Sequence, residues 1–168
     1  VTTSGTSPTN MGAGYDTVDV DACTEAGVLV VNQSGGNAQS VAEHALGMIL
    51  SLSKRIVEAD KALRRDGPFE RAAYKGGEVF GKTIGIIGIG NVGTKLAAMC
   101  RSALGMTVLA YDPYLGDNVI SARGARKVEL AELLHASDFV SINCPLTAQS
   151  RGMVGEAQFA MMKPSGAP

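Results

Sequence analysis

Four residues of this chain have the types and spacing to hold a ligand: Gly88, Gly90 and Gly93, followed by Asp112. The glycines form a G-x-G-x-x-G turn inside the stretch Lys82-Thr83-Ile84-Gly85-Ile86-Ile87-Gly88-Ile89-Gly90-Asn91-Val92-Gly93. In such a turn the first glycine permits a tight bend and the second lets phosphates approach the backbone. The third lets the following helix pack on the preceding strand. Backbone N–H groups near Gly90, Asn91 and Val92, reinforced by the helix dipole, would hold a pyrophosphate. With 21 glycines in 168 residues the spacing alone is weak, and context must carry it. An apolar strand precedes the turn, an amphipathic helix follows, and Asp112 ends the next strand about 20 residues further on. There a carboxylate accepts hydrogen bonds from the adenosine ribose. Its charge would repel a 2′-phosphate, and Pro113-Tyr114 supply no arginine to compensate. The pattern predicts NAD rather than NADP.

A second glycine pattern is a decoy. Gly76-Gly77-Glu78-Val79-Phe80-Gly81-Lys82-Thr83 matches the phosphate-loop pattern G-x-x-x-x-G-K-[ST]. That motif needs its Lys and Thr at a helix start, whereas Lys82-Thr83 lead into an apolar strand, so an ATPase is rejected on topology. Cys23, Cys100 and Cys144 share no ligand spacing and read as buried, reduced thiols. Cys144 has no base in view for nucleophilic work. His44, at a helix start, reads as packed or hydrogen-bonded structure, and His135 as exposed. Arg123, Arg126 and Arg151 fall in surface-like segments with no setting for clamping a carboxylate.

The elements that would position these groups follow from periodicity. Val18 to Ala26 suits a short helix stopped at Gly27, and Val28-Leu29-Val30-Val31 a strand buried on both faces. The longest helix is predicted over residues 40–65, with Val41, Ala42, Ala45, Leu46, Ile49, Leu52 and Ile56 as its apolar stripe. Lys54, Arg55, Glu58, Lys61 and Arg65 lie mostly off that stripe as a solvated face. Gly67-Pro68 ends the helix and residues 69–80 form a loop. Then strand and helix alternate: a strand at Ile84–Gly88, and a helix at Asn91–Leu104 presenting Val92, Leu96, Cys100 and Ala103. Further strands are expected at Thr107–Tyr111, Arg126–Val128 and Asp138–Asn143, and helices at Glu129–Ala136 and Gly155–Met162. Residues 117–124 are ambiguous. The alternation predicts an α/β, Rossmann-type doubly wound parallel sheet with right-handed crossovers.

Composition agrees. Hydrophobic residues make up 45% with 5% aromatic and no Trp, the interior expected of an α/β protein. A formal charge of −1 provides no basic field for nucleic acid or anionic lipid. Neither a signal peptide nor an apolar run of membrane-spanning length is found, so a soluble, cytoplasmic protein is expected.

Around the nucleotide turn, further segments carry a family resemblance: Gly12-Ala13-Gly14-Tyr15-Asp16, Ser40-Val41-Ala42-Glu43-His44, Gly81-Lys82-Thr83, Asn143-Cys144-Pro145-Leu146-Thr147 and Met162-Lys163-Pro164. In this order, from about Asn10 to Ala167, they resemble the D-isomer-specific 2-hydroxyacid dehydrogenases, the phosphoglycerate dehydrogenase-like family. The resemblance implies a two-domain, dimeric NAD enzyme with its cleft between the domains. Residues 1–32 would be the tail of the substrate domain, and residues 33–168 the NAD-binding domain, including an inter-domain helix at 40–65. The backbone at Ala13-Gly14 would help hold the substrate carboxylate, and the Cys144-Pro145 turn would lie beside the cofactor. In the family an Arg clamps the carboxylate and a His–Glu pair moves the proton. All three lie beyond the Met162-Lys163-Pro164 segment, so the sheet is expected to stop after its fourth strand and the chain alone to lack activity. Phosphoglycerate, glyoxylate or hydroxypyruvate, and lactate-type acids are all open as substrates. A non-catalytic, co-repressor-like NAD-binding regulator is the alternative on the same fold. A third reading is another oxidoreductase or a hydrolase sharing only the nucleotide domain.

Overall fold

The computed structural model describes residues 9–10, 14–15, 17–65 and 68–164. The sequence pattern switches period at Thr83, and there the main body begins. Strand β3 (Thr83–Ile87) is followed by helix α4 (Asn91–Leu104), β4 (Thr107–Tyr111) and helix α5 (Asp117–Ala122). Next come β5 (Arg126–Lys127), α6 (Leu130–Ala136), β6 (Phe139–Ile142) and α7 (Glu156–Met161). All four strands are parallel, in the order β5-β4-β3-β6. The chain builds outward from β3 to β5, then crosses back to place β6 on the other side of β3. The order therefore reverses at the β3–β6 junction, and ligands in such sheets bind beyond the strand ends at that point.

Both sheet faces are covered, because the strands alternate large apolar residues between them. Ile84 and Ile86 of β3, with Val108 and Ala110 of β4, pack under Leu96, Ala97 and Cys100 of α4 and Ile120 of α5. Ile87 and Leu109 point the other way, onto Leu133 and Leu134 of α6. Gly85 is buried where α6 comes closest: a Cβ there would lie 2.4 Å from both Leu133 and Ser137 side chains. The buried face of α4 is Gly93, Leu96, Ala97 and Cys100, whereas Val92 is half-buried and Ala103 is exposed, against the expected stripe. It turns because α4 is wedged between the sheet and a preceding helix.

That helix is α2 (Ala38–Ser53), and here the sequence reading needs correcting. A single helix over 40–65 is not formed: α2 ends at Ser53, and α3 (Ile56–Leu63) starts anew after Arg55, whose φ of 53° is left-handed. The break is held from outside. Gly77 N–H donates to the Ser53 carbonyl at 2.9 Å, Lys54 Nζ to the Gly77 carbonyl at 2.9 Å, and Arg55 Nη1 to the Ala73 carbonyl at 2.7 Å. Arg55 also lies over the Tyr74 ring, which stacks on Phe69. Lys54 and Arg55 thus clamp the 69–80 segment, where a short 3-10 turn forms at Arg71–Tyr74. Arg55 is half-buried, while Lys54, Glu58, Lys61 and Arg65 are exposed as the solvated face requires. The apolar stripe divides too. Ala38, Ala42 and Ile49 are buried against α4, while Val41, Met48, Leu52 and Ile56 are exposed. The stop at Gly67-Pro68 lies partly outside the described residues.

Upstream, helix α1 (Val20–Glu25) is capped by Asp19 and followed by Gly27 at φ 66°. The fully buried strand expected at 28–31 is instead the two-residue β2 (Val31–Asn32), paired in parallel with β1 (Thr9–Asn10). Leu29 is 69% exposed and Val31 46%, because that small sheet has no cover among the described residues. At the far edge β6 pairs with β3 alone among the described strands, as expected of a sheet ending there.

Candidate functional site: a cleft at the strand-order reversal

The turn after β3 is shaped by three glycines with three different surroundings. Gly88 has φ 86°, and a Cβ on it would lie 2.7 Å from the Cys144 backbone nitrogen. It must be glycine for both conformation and clearance. A Cβ on Gly93 would lie 2.5 Å from the Gly88 carbonyl oxygen, so its absence lets α4 sit on the end of β3. Gly90 differs: its φ is −74° and nothing lies within 4 Å of where a Cβ would be. That open space sits directly before α4. The first α4 bond is from Thr94 N–H to the Gly90 carbonyl, 3.0 Å, so the N–H groups of Asn91, Val92 and Gly93 fall in the unpaired first turn. Asn91 turns its side chain toward Gly35, leaving the turn to act through its backbone.

Asp112, just past β4, is half-buried and faces the same opening. Its Oδ2 accepts from Ile89 N–H at 3.2 Å and its Oδ1 from Tyr114 N–H at 3.1 Å. A carboxylate accepts about four hydrogen bonds, so each oxygen keeps capacity for a hydroxyl. The opposite wall follows β6. Asn143 N–H donates to the Ile87 carbonyl at 2.8 Å, which brings Cys144 and Pro145 against Gly88. Ser150 then locks the loop, its hydroxyl donating to the Pro145 carbonyl and accepting from Thr147 N–H, both 2.7 Å. Together these walls enclose a cleft of about 230 Å³ lined by Gly88, Gly90, Asp112, Tyr114, Cys144 and Pro145 among others. Free N–H groups of a helix first turn beside open space, with a carboxylate lining the same cleft, can hold a dinucleotide.

The sequence-selected residues fall into groups. Gly88, Gly90, Asp112, Cys144 and Pro145 line the cleft; Asn91, Val92 and Gly93 form the first turn of the helix beside it. Ala13 lies outside the described residues, and Gly14 is exposed and not in the cleft lining. His44 is exposed, not packed as expected, because α2 turns its small residues toward α4 instead. His135 is exposed as expected, its Nδ1 2.9 Å from the Ala131 carbonyl. Of the free thiols only Cys100 is fully buried, and that burial pushes it up to about 11. Cys23 and Cys144 are half-buried. Sequence reasoning missed Thr147, Gln149, Ser150 and Met153 in the lining, which sit on an irregular loop without a period to read. It also missed Arg123, whose guanidinium hydrogen-bonds the Ile89 carbonyl across 34 positions of sequence. The decoy is settled by geometry: Lys82 precedes a strand, not a helix.

The match to the family model described as the D-isomer specific 2-hydroxyacid dehydrogenase, NAD binding domain, runs over residues 46–167. This chain belongs to that family. The cleft just described lies in the family's NAD-binding domain, and the α/β Rossmann architecture expected from the sequence is the one observed. Among curated relatives of this dehydrogenase domain, D-3-phosphoglycerate dehydrogenase of Archaeoglobus fulgidus is 40% identical over 152 residues, covering 90% of this chain and 28% of its own length. Among solved structures, holo D-mandelate dehydrogenase of Rhodotorula graminis superposes with a TM-score of 0.84 at 32% identity, covering 93% of this chain and 48% of that one. D-lactate dehydrogenase of Aquifex aeolicus, complexed with NAD and lactic acid, gives 0.79 at 32% identity, covering 92% and 46%. The chain thus spans under a third of the curated relative and about half of each solved dehydrogenase.

Proposed function

We propose that this domain binds NAD across the cleft, as part of an NAD-dependent oxidoreductase acting on the CH–OH group of a D-2-hydroxy acid. The observation that carries the reading is the open space at Gly90, set between the first turn of α4 and the Asp112 carboxylate. In this reading the pyrophosphate rests over Gly90 against the N–H groups of Asn91 and Val92. Gly88 and Gly93 shape the turn, Asp112 accepts the adenosine ribose hydroxyls, and Cys144-Pro145 form the wall beside the cofactor. Bound NAD would supply or accept a hydride at the substrate carbon that carries the oxygen. The relatives named above act on different acids, so the substrate is assigned as a class. The backbone at Ala13-Gly14 is assigned to the substrate carboxylate by resemblance.

We further divide the chain into a substrate-domain tail at residues 1–32 and a nucleotide domain at 33–168. The exposed apolar face of α2 and α3, with Val41, Met48, Leu52, Ile56 and Val57, supports a homodimer of the full-length protein. A soluble, cytoplasmic setting agrees with the free cysteines and with the absence of a helix, among the described residues, long and apolar enough to cross a membrane. Among the described residues lining the cleft there is no histidine to move the hydroxyl proton as the family's histidine does. Turnover of 2-hydroxy acids by these 168 residues alone is therefore expected to be undetectable.

Substitution at Gly90 tests the binding reading. Its φ is acceptable to any residue and its surroundings are empty, but its ψ of −147° lies outside the extended region. Gly90→Val should therefore fold with a melting temperature somewhat below that of the unaltered chain. The valine would occupy the phosphate space, and NADH affinity should fall at least about 100-fold, some 2.7 kcal/mol. A folded Gly90→Val chain that binds NADH normally would remove the basis for the proposal.

A further inference from the structure

Ile89, between the first two glycines of the turn, is fully buried, and its backbone groups are held on both sides. Its N–H donates to Asp112 Oδ2 at 3.2 Å. Its carbonyl accepts from Thr94 Oγ1 at 3.2 Å and from Arg123 Nη1. Arg123 is itself fixed. It caps the C-terminal end of α5, its N–H donating to the Val119 and Ile120 carbonyls at 3.1 Å each, and Ile120 is buried in the same cluster as Ile89. The Thr94 hydroxyl alone would satisfy a buried carbonyl. A guanidinium adds a stronger, charge-assisted bond, and it brings positive charge to the back of a turn whose front is shaped for an anion.

We propose that Arg123 is a positioning residue for the dinucleotide pyrophosphate, clamping the Ile89 carbonyl so that the turn keeps its N–H groups aimed into the cleft. Asp112 grips the N–H side of Ile89, so the ribose-binding carboxylate and the pyrophosphate turn share one anchoring residue. The Arg123 charge offsets part of the repulsion between that carboxylate and the incoming phosphates. This inference rests on the NAD reading and adds to it a residue outside the glycine motif, one that lines no part of the cleft.

The test compares ADP-ribose with adenosine, which lacks the pyrophosphate. Both are titrated by NMR chemical shift into the unaltered chain, Arg123→Leu and Arg123→Lys, with thermal melts alongside. Arg123→Leu should weaken ADP-ribose about tenfold, the worth of one charge-assisted hydrogen bond. Adenosine should stay within about twofold, and Arg123→Lys should recover at least half of the lost binding free energy. Unchanged ADP-ribose affinity in Arg123→Leu, or a parallel loss for adenosine, overturns the inference while leaving the NAD reading standing. If Arg123→Leu does not fold, the lysine variant decides through the same comparison: ADP-ribose affinity reduced more than adenosine affinity supports the clamp, and equal changes reject it. Failure of the unaltered chain to bind ADP-ribose at all overturns the NAD reading first and this inference with it.

Discussion

At the scale of single residues, the three glycines of one motif do different physical work, and substitution should separate them. Gly90 guards empty space, whereas Gly93 guards a contact. Adding even a methyl group at Gly93 drives a Cβ to 2.5 Å from the Gly88 carbonyl oxygen, a backbone atom that cannot rotate away. Gly93→Ala is expected to destabilise the fold by about 1–3 kcal/mol, the usual cost of overpacking. Urea titration of the two glycine variants checks this. Equal stability of Gly93→Ala and the unaltered chain would mean that α4 does not sit on β3 as described. Much of this was legible in the sequence, since the spacing of Gly88, Gly90, Gly93 and Asp112 follows from what a phosphate turn requires. The Arg123 clamp was not legible, because a guanidinium reaching a carbonyl 34 positions away leaves no local pattern.

At the scale of elements, the sheet is tied together at its lower edge by Asp138. Its Oδ2 accepts from Thr83 N–H at 2.8 Å, where β3 starts, and its Oδ1 from Lys163 Nζ at 2.9 Å, beyond α7. Two segments that carried the family resemblance, Gly81-Lys82-Thr83 and Met162-Lys163-Pro164, thus converge on one carboxylate. Partial burial disfavours the charged form of Asp138. The hydrogen bonds from Lys163 and Thr83, with the charges of Lys163 and Lys82, outweigh it and hold the carboxyl below its ordinary value. A group ionising more easily when folded stabilises the fold above its unfolded value, near pH 4, and the stabilisation disappears as pH falls through the lower folded value. Asp138→Ala should cost about 1 kcal/mol at neutral pH, modest because the pair is partly solvated, and the difference from the unaltered chain should shrink in acid. Denaturation curves at pH 7 and pH 3 measure it, and a difference that grows in acid would contradict this account. The helices show where periodicity misleads at this scale. Apolar spacing runs unbroken from Val41 to Ile56 and predicts one helix. The break after Ser53 is imposed by partners at Ala73 and Gly77 that no helical pattern encodes. Likewise the apolar run 28–31 reads as a core strand, and the absence of cover around β2 among the described residues leaves Leu29 and Val31 exposed.

At the scale of the whole molecule, topology decides where chemistry can occur. The strand order β5-β4-β3-β6 opens one crevice at the β3–β6 reversal, and the turns after β3, β4 and β6 all deliver residues into it. Membership in the D-2-hydroxyacid dehydrogenase family makes this an NAD-binding domain, and the proposed placement of Asp112 at the adenosine ribose would give a preference for NAD over NADP a physical cause. A 2′-phosphate at the ribose would face a carboxylate held in place by two backbone N–H groups, from Ile89 and Tyr114. Isothermal titration of this chain with NADH and with NADPH tests that claim most directly. NADH should bind at least about tenfold more tightly, a difference of 1.4 kcal/mol or more; equal or tighter binding of NADPH, or no binding of NADH, would contradict it.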